Sequence, residues 1–207
     1  METVRIVFWE VDAQVDFMLP AGKLYVPGAE KIIPNVNRLV DQVRAGRAFL
    51  VSSADAHAPD DPEFQLFPPH CVKGSPGAEI IPEGLAPRRL TVPNDRSFSL
   101  PQRLSDYRQL VFEKQTLDVF DNPKADEWVR RLGPNTEYVV FGVVTEYCVR
   151  CAVKGLLERG AKVALVGDAI ETIASGEGNS AVKELQRLGT RLISTDQAVR
   201  MAAGQTP

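Results

Sequence analysis

Apolar positions along the chain follow two rhythms that take turns. Short runs dense in β-branched residues occur at Val4–Val11, Ala48–Ser52, Leu110–Phe112, Tyr138–Val144, Val163–Val166 and Arg191–Ile193. Uninterrupted runs of this kind suit strands buried on both faces. Between them, apolar residues recur at helical spacing. Ile32, Ile33, Val36, Leu39, Val40 and Val43 make one such stripe, and Gly46 stops it. Further helices are expected over 125–132, 146–159 and 177–188, each closed by a glycine (Gly133, Gly160, Gly189), and a short last one begins at Thr195. Regular alternation of strand and helix predicts a doubly wound α/β sheet of about six mainly parallel strands. Helices cover both faces, with right-handed crossovers. One domain spanning residues 1–207 is expected.

Residues 58–101 break the rhythm. They are dense in proline and show no clear period. A loop of this length is usually functional or disordered. Phe64, Phe67 and His70 lie within it and favour function.

Composition removes several classes. A net charge of -3 gives no electrostatic reason to expect nucleic acid or an anionic membrane as partner. No apolar run approaches the roughly 20 residues of a membrane span. The first residues enter a strand-like run without a basic segment or cleavage site. Three cysteines argue against a disulfide framework. A cytoplasmic protein is expected.

Chemistry gathers past the strand ends, where open α/β sheets place their sites. Asp12, Gln14 and Asp16 follow the first strand, Lys114 the third, and Cys148 the fourth. Thr145 is a good N-cap, so Cys148 should sit in the first helical turn, where the helix dipole favours a thiolate. Each residue alone has an ordinary explanation: a core cysteine, a solvated lysine or aspartate. Together they supply a nucleophile, a carboxylate to take its proton and an ammonium to hold both charges.

Asp55-x-His57 and His70 form a second cluster. One carboxylate and two imidazoles suit a divalent transition metal, zinc first, with iron or manganese as other candidates. The same two histidines could equally be packing or surface residues. Cys148-Val-Arg-Cys151 is formally C-x-x-C and could be a redox pair. At helical spacing, Cys151 is expected to pack in the core instead, and Cys71 to pack beside the metal loop.

Several segments together are similar to the nicotinamidase branch of the isochorismatase-like cysteine hydrolases, over about residues 4–195. They are Asp12-Ala-Gln14-Val-Asp16-Phe17, Asp55-Ala-His57, Pro68-Pro69-His70-Cys71-Val72 with Gly74-Ser-Pro76-Gly77, Lys114, and Gly142-Val-Val-Thr145-Glu146-Tyr-Cys148-Val. The resemblance implies an Asp12–Lys114–Cys148 triad and a metal on Asp55, His57 and His70. It implies a cis peptide between Val143 and Val144, with the N–H groups of Val144 and Cys148 forming an oxyanion hole. The substrate pocket would use Gln14, Phe17, Phe67 and Val143. The implied reaction is nicotinamide to nicotinate and ammonia, a step of NAD salvage, in a homo-oligomer (dimer or tetramer).

This chain departs from the pattern at Ala56, where an aromatic is frequent, and at Phe67, where Trp is common. Glu63 stands near a further His or Ser of many relatives. It is a candidate fourth metal ligand, or a solvated loop carboxylate. Two other readings remain: a related amidase acting on another small amide or ureido acid, and a catalytically silent binding module.

Overall fold

The predicted apolar runs become strands of one sheet. The structure, a computed structural model, describes residues 6–103 and 106–205. Val4 and Arg5, the start of the first predicted strand, lie outside the described residues. The strands are β1 (Ile6–Val11), β2 (Phe49–Asp55), β3 (Arg89–Val92), β4 (Gln109–Lys114), β5 (Glu137–Gly142), β6 (Lys162–Ile170) and β7 (Arg191–Ile193). Their order is β3-β4-β2-β1-β5-β6-β7, and every pairing is parallel.

The sheet therefore has seven strands rather than about six. The extra one, β3, comes from the proline-dense stretch. It is four residues long, partly exposed, and pairs only with β4. An edge strand this short carries too little apolar signal to stand out from its loop.

The helices are α1 (Val15–Met18), α2 (Ile33–Arg44), α3 (Pro123–Leu132), α4 (Arg150–Glu158), α5 (Ser175–Arg187) and α6 (Thr195–Ala202). Local chemistry fixes several of their ends. The Asn122 side chain accepts from Lys124 N at 2.9 Å and Pro123 opens α3. Ser194 and Gln197 form a reciprocal capping box for α6. No helix among the described residues is long and apolar enough to cross a membrane.

Strand side chains alternate between two cores. Phe8, Leu50, Val139, Phe141 and Ala164 meet Val36, Leu39 and Val40 of α2 and Ala198 and Met201 of α6. Val7, Trp9, Val51, Phe112, Tyr138 and Val140 meet Trp128 of α3, Leu156 of α4 and Leu185 of α5. Such double coverage explains why the strands read as continuous apolar runs.

Four adjacent strands, β4-β2-β1-β5, end along one edge. Asp55 and Lys114 are register partners there, and Val11 pairs with both Ser53 and Gly142. The fourth predicted run stops as a strand at Gly142, not at Val144. Gly142 has φ +118, and a Cβ on it would lie 2.1 Å from Val11 O. Only glycine lets β5 close on β1 at that point. The chain then leaves the ladder through Val143–Val144, whose peptide bond is cis.

Candidate active site

Asp12, Lys114 and Cys148 converge from three strand ends. Lys114 Nζ lies 3.0 Å from Asp12 Oδ2 and 3.6 Å from Cys148 Sγ. It also bonds Asp55 Oδ1, and it donates to Thr116 O at 3.1 Å. The three residues are almost wholly removed from water: Lys114 is 1% exposed, Asp12 0% and Cys148 7%. Asp12 adopts φ +48, a left-handed conformation costing about 1–3 kcal/mol for a non-glycine residue. Its Oδ1 accepts from Ser53 Oγ at 2.6 Å. Its Oδ2 makes an ion pair with Lys114 but no aligned hydrogen bond, so a lone pair remains for a proton.

Burial governs the charges. It pushes the Cys148 thiol well up, Asp12 and Asp55 push the same way, and the Lys114 ammonium opposes them. Burial thus works against the thiolate that the helix dipole favours, because a nearly buried sulfur lacks the water that would solvate its charge. Burial also raises Asp12, with Asp55 adding to it and Lys114 opposing. For Lys114, burial alone would lower the value. The facing Asp12 and Asp55 outweigh it, so the amine stays charged.

Thr145 does not cap the helix as expected. Residues Thr145–Val149 form a π-helical turn before α4, and Val144 holds the cap position without a side-chain bond. Thr145 Oγ1 instead donates to Glu171 O at 2.7 Å.

The second cluster also assembles. Asp55, His57 and His70 are buried, and one donor atom from each lies within 4.8 Å of the others. Two backbone bonds bring the histidines together across their loop: His57 N donates to Cys71 O and Lys73 N to His57 O. His70 Nδ1 lies 2.8 Å from Pro68 O, which leaves Nε2 facing Asp55 Oδ2 at 3.7 Å. His57 Nε2 faces the same oxygen at 3.6 Å. Its Nδ1 is 3.0 Å from Asp61 Oδ2, close but off the line of a hydrogen bond.

His57 Nε2 is buried and has no hydrogen-bond partner. A buried, orphaned imidazole nitrogen pointing at a carboxylate and a second imidazole fits a metal ion, and N, N, O donors suit zinc, iron or manganese. Lys114 joins the two clusters, since it contacts both Asp12 and Asp55.

A cleft of about 420 Å³, counting its open mouth, lies over both clusters. Phe17, Phe67, Val143, Val144, Tyr147 and Ile173 supply apolar walls, with Asp12, Cys148, Asp55 and His70 at the base. Glu63 is on the wall but outside the three-residue donor group. Burial and the charge of Asp55 push its carboxyl up.

Gln14, expected in the pocket, is not in the cleft. Its amide group donates to Asp55 O and Ala78 O and accepts from Asp55 N, so it clamps the end of β2. Asp16 works similarly: Oδ1 accepts from Lys23 N and Oδ2 from Cys71 N, fixing the His70 loop. Cys71 packs there as expected, fully buried, at φ +43. Cys151 does not join the core, being only half-buried. All three cysteines are free thiols.

Sequence reasoning gave no role to Ser53 and Asp61 and missed Ile173 on the cleft wall. Ser53 and Asp61 flank Asp55 and His57, so closeness to those residues was the one available signal.

A parallel α/β sheet with a buried thiol, ammonium and carboxylate at the C-terminal edge of its strands defines the class. The chain belongs to the Isochorismatase domain family, whose model matches residues 7–99 and 89–197. It is 26% identical over 182 residues to the nicotinamidase of Escherichia coli strain K12, covering 76% of this chain and 79% of that protein. Among solved structures, the pyrazinamidase of Pyrococcus horikoshii in complex with zinc superposes with a TM-score of 0.74 at 26% identity, covering 92% of this chain and 99% of that one. An isochorismatase-like hydrolase from Alkaliphilus metalliredigens gives 0.76 at 25% identity, covering 95% and 98%.

Proposed function

We propose that this protein is a metal-containing cysteine amidohydrolase acting on a small aromatic carboxamide, with nicotinamide the first substrate to test. The observation that carries the reading is Lys114 Nζ, placed 3.6 Å from Cys148 Sγ and 3.0 Å from Asp12 Oδ2. Similarity to a nicotinamidase and to a zinc-bound pyrazinamidase supports the substrate class.

Asp12 takes the thiol proton as Cys148 Sγ attacks the amide carbon. Burial, which raises the carboxyl of Asp12, equips it to hold that proton. Lys114 stays an ammonium and compensates the charge as it passes between the two. The N–H groups of Val144 and Cys148 would receive the developing oxyanion, an effect typically worth about 3–4 kcal/mol per donor. Asp12 then returns the proton to the departing nitrogen, and ammonia leaves a thioester on Cys148. A water that gives its proton to Asp12 attacks the thioester, and the carboxylic acid departs as the thiol is restored.

Asp55, His57 and His70 would hold the metal, which when bound supplies a Lewis-acid site for a ring nitrogen. Phe17 and Phe67, which line the cleft, would flank the ring and exclude water from it.

The test is ammonia release from nicotinamide and a panel of small amides, with and without chelator, for wild type and Cys148→Ala. Release from nicotinamide that Cys148→Ala abolishes supports the reading. Release from a ureido acid alone, or from no amide, overturns it.

A further inference from the structure

The nucleophile's own turn holds the loop that follows β6. Residues 171–174 connect β6 to α5. Thr145 N and Thr145 Oγ1 both donate to Glu171 O, at 2.8 and 2.7 Å. Glu146 Oε1 accepts from Ile173 N at 3.0 Å and from Ala174 N at 2.9 Å, and its Oε2 accepts from Thr172 Oγ1. Glu146 is 9% exposed. A carboxylate so removed from water is tolerated only when its oxygens are satisfied, and three donors from one short loop satisfy them. Gly178 of α5 closes on the same loop, where a Cβ would lie 2.4 Å from Thr172 Oγ1.

The loop so fixed carries Ile173. This side chain is 48% exposed, yet it lines the cleft together with Cys148, Val143 and Phe67. It is a β-branched, stiff side chain on a pinned backbone, half in water, on the lining of the cleft that also holds the thiol. An exposed loop apolar residue would need no such anchoring to stay where it is.

We propose that Ile173 is the size-selecting wall of the substrate cleft and that Glu146 is the positioning residue that holds it against the nucleophile's turn. The proposal rests on the reading of Cys148 as the nucleophile and adds what limits the substrate. A small planar amide passes beneath Ile173, and a ring bearing a bulky substituent on that side meets it. Selectivity and nucleophile placement are then mechanically joined, because residues 145 and 146 hold the wall and residue 148 carries the thiol.

The experiment compares labelling of Cys148 by iodoacetamide and by a bulky N-aryl iodoacetamide, read at that residue by peptide mass spectrometry. The aryl-to-small rate ratio cancels any change in thiol ionisation. Ile173→Ala should raise the ratio about tenfold, the low end for a pocket-size change of this kind, and Ile173→Trp should lower it. Glu146→Ala should also raise it. Glu146→Gln, which keeps an oxygen for the two backbone N–H groups, should stay close to wild type. An unchanged ratio in both alanine variants overturns the proposal. A Glu146→Gln ratio matching that of Glu146→Ala removes Glu146 from the positioning role.

A parallel arm measures kcat/KM for nicotinamide against a ring-substituted nicotinamide in the same variants. If no variant releases ammonia from any carboxamide, the hydrolase reading fails, and the labelling ratio still decides the role of Ile173.

Discussion

Lys114 Nζ stands 3.6 Å from Cys148 Sγ, and the same ammonium contacts the carboxylates of Asp12 and Asp55. One buried cation therefore serves both the thiol and the metal-type cluster. Lys114→Met keeps much of the side-chain volume and leaves two carboxylates buried without their partner. Breaking a buried pair in this way costs about 3–5 kcal/mol. Lys114→Met should lose ammonia release and shift urea unfolding to lower concentration, and a variant of wild-type stability would show that the cation is not needed to hold the carboxylates. Cys148→Ala should abolish release with little change in Tm.

Metal binding should depend on a residue outside the three donors. Asp61 Oδ2 is 3.0 Å from His57 Nδ1, and Asp61 Oδ1 accepts from Glu63 N at 2.9 Å. A carboxylate so held favours a proton on Nδ1 and a lone pair on Nε2. Outer partners of this kind typically contribute about 10–100-fold in metal affinity. Competition with a chromogenic chelator should show that loss for Asp61→Ala and complete loss of binding for His57→Ala. Equal zinc affinity in Asp61→Ala and wild type would remove Asp61 from this role.

Stability should fall as pH rises, through Glu10. This residue is fully buried in β1, accepts from Ser52 Oγ at 2.7 Å, and has an oxygen with no partner. Burial pushes its carboxyl up to about 8, with Ser52 and Arg44 opposing and Asp12 adding. The native state then holds the proton that the unfolded chain releases near the ordinary value of 4.5. Its contribution is complete below that value and is lost as pH rises through about 8, at up to about 1.4 kcal/mol per pH unit. Glu10→Gln should flatten this slope between pH 5 and 8, measured by urea unfolding (about 0 change at the acid end). A slope identical to wild type would show that Glu10 ionises freely.

Gly77 should be intolerant of a methyl group. A Cβ there would lie 2.2 Å from Asp16 Oδ2, the oxygen that accepts from Cys71 N. Gly77→Ala should therefore loosen the loop that carries His70. The expected outcome is a lower Tm together with weaker zinc binding. A variant with wild-type values for both would mean that the loop can yield without moving His70.

Much of the fold was legible because parallel strands covered on both faces leave a strong one-dimensional trace. β1, β2, β5 and β6 each read as an apolar run, and glycines marked the ends of α3, α4 and α5. β3 was not legible, since a partly exposed edge strand has little apolar contrast. Gln14 was misplaced for a different reason. A polar residue past a strand end can face the cleft or turn back to the chain, and only the position of Asp55 N and Ala78 O decided which.

The sequence by itself carried the parallel sheet, in its alternation of strand and helix, and the candidate site residues Asp12, Lys114, Cys148, Asp55, His57 and His70. The sheet follows from the order of apolar runs along the chain, and the candidates were singled out by their places past strand ends and by the resemblance of their segments to the family. Tertiary structure decided their charge states and their partners. Burial pushes the Cys148 thiol well up, against the thiolate that its place in the chain favours, and the nearby Lys114 ammonium opposes that push. Thr145 bonds Glu171 in place of a helix end, and Glu146 accepts from the backbone N–H of Ile173, a residue of the cleft lining. Solvation and contacts between distant segments arise only when the chain is closed on itself, so no local pattern could have carried them.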